Sequence, residues 1–274
     1  MLRPFEMRFG MSARPLFVCA LALLAAGAPR RDPGPLADAL PEAPLPGDAY
    51  DAGHDEDEAR AGAFVLAAAL RKSVTIGAMD EVGCSKVLKK AKVSFVKAPG
   101  APKIEHPIIL TGPIEGVHFD TGRPYAQRTI AAGDAIDCRL AVALIDLAKT
   151  VKKHTVTTVL VKSFHRPTQV VLDAGAPLRH RIGFAIDIAG FKTKKGQVWN
   201  VEHDFHGKIG QQTCGTVAAK PNPDSKVSRE LWAMFCQISA TEAFDSGINP
   251  NYNASHFDHM HFDLTTDHPI LFYP

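Results

Sequence analysis

Two short segments concentrate the side chains that can do chemistry. The first reads His180-Arg-Ile-Gly-Phe-Ala-Ile-Asp187 and the second His256-Phe-Asp-His-Met-His-Phe-Asp263. An extended chain turns successive side chains to opposite faces. A strand from Phe184 to Ile188 therefore puts Phe184, Ile186 and Ile188 on one face, with Ala185, Asp187 and Ala189 on the other. The apolar face belongs against a core, and Asp187 projects into space that two alanines keep open. Gly183 permits a turn between His180 and the strand, so an imidazole and a carboxylate seven positions apart can converge on one ion. In the second segment Met260, Phe262 and Leu264 point one way, and His259, His261 and Asp263 the other.

The two segments together offer two imidazoles and a carboxylate, His180, His261 and Asp187. Three protein ligands leave a position for water, which is the layout of a catalytic zinc site and not of a closed structural one. Zinc lowers the pKa of its water to about 7, the chemistry that hydrolysis of a peptide bond needs. His259, beside His261 on the same face, stays free for proton transfer. The same donor set suits several divalent ions. The chain holds twelve histidines, so a chance run of solvated or core histidines is the competing reading.

Elements that could position these groups follow from periodicity. Leu140, Leu144, Leu147, Ala148 and Val151 recur at helical spacing within residues 137–153, with Lys149, Lys152 and Lys153 near the C-terminal end where the dipole favours cations. Residues 155–161 (TVTTVLV) are β-branched and predict a strand. Further strands are expected over residues 92–96, 108–110, 184–188, 197–201 and 258–264, and helices over residues 63–72 and 228–243. Strands and helices mix without βαβ alternation, so the fold class is α+β, a single domain with a mainly antiparallel sheet flanked by helices.

The rest of the chain speaks to export. Arg14 precedes an apolar run, residues 15–28, that ends Ala26-Gly27-Ala28, the layout of a cleavable signal peptide over residues 1–28. Residues 29–60 are rich in Pro, Ala, Asp and Glu and read as a disordered linker. The folded domain is expected over residues 61–274, in a secreted or periplasmic protein with no stable membrane anchor. Net charge is +2, which demands neither nucleic acid nor an anionic surface. Beyond Cys19 in the apolar run, Cys84, Cys138, Cys214 and Cys236 suggest two disulfides. Three pairings are open. Short loops favour Cys84–Cys138 with Cys214–Cys236, but the sequence alone does not choose.

The spacing H-x-x-G-x-A-x-D followed by D-H-x-H resembles the D-Ala-D-Ala metallopeptidase and hedgehog-type zinc fold. Within it, the chain is most similar to the bacterial extensin-like C-terminal domain. The matching stretches are Asp137-Cys138-Arg139-Leu140, Ser163-Phe164-His165-Arg166, HRIGFAIDIAGF at 180–191 and NPNYNASHFDHMHFDL at 249–264. The resemblance implies zinc held by His180, Asp187 and His261, with His259 as the catalytic histidine and Arg166 touching substrate. It places His256, Asp258 and Ser163 around them, supporting the ligands or meeting substrate. Two positions depart from the pattern. Leu178 stands where related enzymes carry a serine that supports the first ligand histidine, and His165 stands where the family usually has cysteine, which leaves Cys214 to pair with Cys236.

The resulting expectation is a monomeric, secreted zinc hydrolase that cuts peptide bonds of peptidoglycan. A wall-binding module that keeps the metal without hydrolysis is the alternative, and a domain with purely structural zinc is a third.

Overall fold

One long helix explains much of the architecture. Residues Cys138–Lys153 bury not only the predicted stripe but almost every side chain up to Val151, including Arg139. A helix buried this completely must be covered on several sides. The computed structural model, which describes residues 71–167, 178–264 and 271–272, supplies that cover with three further helices and a strand. The expected signal peptide, the linker and nearly all of the helix expected over residues 63–72 lie outside the described residues.

In chain order the described elements begin with α1 (Lys72–Gly77), α2 (Glu81–Lys90), β1 (Phe95–Lys97), β2 (Pro107–Leu110), β3 (His118–Asp120) and β4 (Ala135–Asp137). The long helix α3 (Cys138–Lys153), β5 (Val156–Ser163), β6 (Ala185–Thr193), β7 (Val198–Asn200) and α4 (Val201–Asp204) follow. The last are α5 (Lys226–Ser239), β8 (Ser246–Ile248), β9 (Met260–Asp263) and β10 (Leu271–Phe272). The class is α+β, but the strands form two sheets where one was expected. A three-stranded antiparallel sheet has the order β1-β2-β4, and a seven-stranded sheet runs β10-β8-β9-β6-β5-β3 with β7 also on β6. The larger sheet is mixed: β3 lies parallel to β5 and β10 parallel to β8, while its other pairs are antiparallel.

Several boundaries differ from the sequence reading for physical reasons. Lys92 has φ of 56°, so extended structure begins only at Phe95. Strand β6 continues past Ile188 to Thr193 because β7 pairs with its second half. Helix α5 starts earlier, at a capping box in which the Ser225 and Ser228 hydroxyls serve each other's backbone N–H, and it ends at Ser239. Ala243 and Phe244, expected at or near that helix's end, pack into the core beyond it.

Both disulfides favoured by loop length are present, Cys84–Cys138 between α2 and α3 and Cys214–Cys236 between a loop and α5. The apolar back of β9 is as expected. Met260, Phe262 and Leu264 are fully buried, and the Phe262 ring lies 5.5 Å from Phe235 and 5.4 Å from Phe244. Each such side chain contributes about 1.5–3 kcal/mol on burial. That anchorage holds the opposite, polar face of β9 in place. No helix among the described residues is long and apolar enough to cross a membrane.

Candidate metal centre

Three neighbouring strands set the site by register. Ser163 on β5 stands opposite Asp187 on β6, and Asp187 stands opposite His261 on β9. One row across the sheet thus holds a hydroxyl, a carboxylate and an imidazole. His180 joins from a short 3-10 turn, Arg179–Ile182, that ends on Gly183 at φ of +74°. A side chain at Gly183 would meet the Asp137 backbone nitrogen at 2.7 Å, so glycine is required both for the turn and for its close seat. His180, Asp187 and His261 each offer a ligand atom, and these atoms lie within 4.8 Å of one another. The sequence-based triad is therefore brought together in space.

The two Asp187 oxygens divide their work. Oδ2 accepts from Ser163 Oγ at 2.7 Å and from Arg166 Nη2 at 2.6 Å. Oδ1 faces three imidazoles: His261 Nδ1 at 2.9 Å, His180 Nε2 at 3.0 Å and His259 Nε2 at 3.5 Å. Each imidazole is pinned by its other nitrogen. His180 Nδ1 donates to the Phe164 carbonyl at 2.6 Å, His261 Nε2 to Asp263 Oδ2 at 2.9 Å, and His259 Nδ1 to Asp258 Oδ1 at 2.7 Å. A carbonyl or carboxylate partner fixes the proton on the outward nitrogen and leaves the inward one for a ligand or a proton.

Electrostatics follow from burial and from these bonds. Burial alone would raise the Asp187 carboxyl, but hydrogen bonds from His180 and His261 hold it far below the usual carboxylate range. Burial also works against charge on His261, yet its bonds to Asp187 and Asp263 raise it to about 9. Burial pushes the His259 imidazole down, with Lys162 adding to the effect. Burial and the neighbouring His259 and His261 bring His256 down to about 4. Its Nδ1 lies 2.7 Å from Asn253 Oδ1, and its ring centre is 5.0 Å from that of His259 and 6.1 Å from that of His261.

All eight residues expected at the site gather here, with two adjustments. Arg166 does not simply point at open space: its Nε donates to Ser163 Oγ at 3.0 Å, and its Nη2 sits on Asp187. The support that Leu178 cannot give to His180 comes instead from the Phe164 carbonyl. Sequence reasoning gave no role to Asp263 or to Lys162, whose Nζ donates to Asp258 Oδ2 at 2.6 Å. Asp263 had a usable signal, two residues beyond His261 on the same face; a backbone carbonyl has none. His165 is buried and its Nε2 donates to the Arg181 carbonyl at 3.1 Å, while Cys214 pairs with Cys236.

No curated protein and no solved structure matches the chain. The family described as "Extensin-like protein C-terminus" does, over residues 83–271, a span that contains every strand and histidine of the site. With its HRIGFAID turn-and-strand and its DHMH strand inside that match, the chain belongs to the extensin-like C-terminal family.

Proposed function

We propose that this chain is a secreted, zinc-dependent hydrolase that cleaves peptide bonds of cell-wall peptidoglycan. The observation that carries the reading is the convergence of three inward imidazole nitrogens on one buried carboxylate oxygen, each imidazole held by an acceptor behind it. The donor set fits zinc: two imidazoles and a carboxylate that hydrogen-bonded partners already orient. His180, Asp187 and His261 would hold the ion. Bound there, zinc would supply Lewis acidity that polarises a carbonyl and acidifies water.

The chain's own residues then have distinct tasks. His259 takes up the proton at Nε2, since its Nδ1–H is committed to Asp258 and burial keeps the ring neutral near pH 7. Asp258, itself held by Lys162, keeps that tautomer and steadies the charge His259 gains. Arg166, with a side chain about two-fifths exposed at 41%, presents a planar guanidinium at the rim to a substrate carboxylate or developing oxyanion. Ser163 fixes Arg166 and Asp187 relative to each other. Two disulfides accord with an oxidising compartment outside the cytosol.

The test is mass spectrometry of soluble fragments released from purified sacculi, with and without chelator. Fragments that appear only without chelator are expected, and their masses name the bond cut. Sacculus binding with zinc present and no fragments would replace the hydrolase with a metal-containing wall-binding module.

A further inference from the structure

Beyond the imidazole cluster, the structure holds a second polar concavity at the other ends of the same two strands. Ser163 closes β5 and Asp187 lies near the start of β6, whereas Thr155 precedes β5 and Thr193 ends β6. Thr193 lies six positions beyond Asp187 along β6, which at about 3.3 Å per residue is roughly 20 Å. Between the end of α3, the β6–β7 hairpin and the first turn of α5 lies a cleft of about 480 Å³.

Charge in this cleft is mostly positive. Lys153, Lys195 and Lys226 line it from those three separate elements. None of the three forms an ion pair with a described residue. The lining includes one acid, Glu230, and it is already engaged by His154 Nδ1 at 2.5 Å. Three exposed lysines that line one cleft without an ion-pair partner of their own raise its potential and attract an anion.

We propose that this cleft is a binding site for phosphate-bearing anions. Lysine acts on phosphate as a point charge, whereas planar carboxylates are matched by the arginine fork, and no arginine lines the cleft. The Thr193 hydroxyl, buried in the wall, accepts from the Gln197 backbone N–H at 3.2 Å and so keeps its own proton to donate. Trp199, almost fully buried, lines the cleft as an aromatic wall. Because the cleft is roughly 20 Å from Asp187, a polyanion held there leaves the imidazole cluster clear. The proposal does not depend on zinc chemistry at that cluster.

The test is a calorimetric titration of the full chain with sodium tripolyphosphate at low salt, where charge is least screened. Saturable one-site binding is expected. The variant Lys153→Gln/Lys195→Gln/Lys226→Gln should weaken it at least tenfold, while Lys86→Gln/Lys89→Gln/Lys90→Gln, which removes the same charge from α2, stays within twofold. Citrate should bind at least tenfold more weakly than tripolyphosphate. Poly(glycerol phosphate) separates the sources: binding of both polyanions assigns a phosphodiester polymer, and tripolyphosphate alone assigns a free phosphate. Equal weakening in the two triple variants would reduce the effect to diffuse charge and overturn the site. Wild-type affinity in the cleft variant, or citrate binding as tightly as tripolyphosphate, would overturn it too. Should the triple cleft variant fail to fold, Lys195→Glu at the exposed hairpin turn reads the same effect, and unchanged affinity there counts against the site.

Discussion

Asp137 and Asp187 are carboxylates of nearly equal burial, 0% and 1% exposed, yet different chemistry satisfies each. Asp137 caps α3 and accepts from the Arg139 backbone at 3.0 Å, its Nε at 2.8 Å, its Nη2 at 2.9 Å and the His106 backbone at 3.1 Å. Every one of those donors keeps its proton at any ordinary pH. Arg139 also reaches Glu105 and lies over the Phe184 ring, so the network ties α3 to the loop before β2 and to the start of β6. Asp187 keeps one oxygen for permanent donors, Ser163 and Arg166, and turns the other toward imidazoles that can give their protons up. A buried acid among permanent donors is a building element. One that faces exchangeable donors can, on the proposed reading, trade their protons for a metal.

The contrast can be broken at either acid. Asp187→Ala should abolish both zinc retention and turnover, as read by metal analysis of the purified chain and by fragment release from sacculi. Arg139→Ala strands the Asp137 carboxylate in the interior and should cost about 3–5 kcal/mol in denaturant unfolding. The molecules that remain folded should keep wild-type zinc affinity; a matching loss of affinity would mean that the two regions are one network.

Smaller effects sharpen the comparison. Asp263→Ala removes the acceptor behind His261 and should weaken zinc about 10–100-fold without touching the ligands themselves. Bonds to Asp187 and Asp263 push His261 up to about 9 in the metal-free protein, so below that pH it carries a proton that zinc bound there would displace. Zinc affinity should therefore rise with pH, roughly tenfold per unit from 7 toward 9 for one proton released, and level off above. An affinity flat across that range, measured by competition with a buffered chelator, would contradict displacement of a proton from His261 by zinc.

Much of the site was legible because strand periodicity is strict. In 256–264 the alternation of His259, His261 and Asp263 with Met260, Phe262 and Leu264 separates site from core with no help from tertiary structure. The 180–188 segment was legible for the same reason, with Gly183 marking its turn. What lay beyond reach was what depends on partners. Strands β3 and β8 are three residues each, too short for a pattern, and exist because β5 and β9 lie beside them. The helical stripe on α3 showed one face of a helix that the fold buries on almost all sides. The Phe164 carbonyl that steadies His180 carries no side-chain signal, so the loss of a supporting serine at Leu178 looked more serious than it is.

Zinc content of the purified chain, with its His259→Ala and His261→Ala variants, tests the division between ligand and proton acceptor most directly. One zinc per chain is expected in the wild type and in His259→Ala, with turnover lost in the latter, and none is expected in His261→Ala. A wild-type chain that takes up no stoichiometric zinc, or a His259→Ala variant that loses it as fully as His261→Ala, would contradict the assignment.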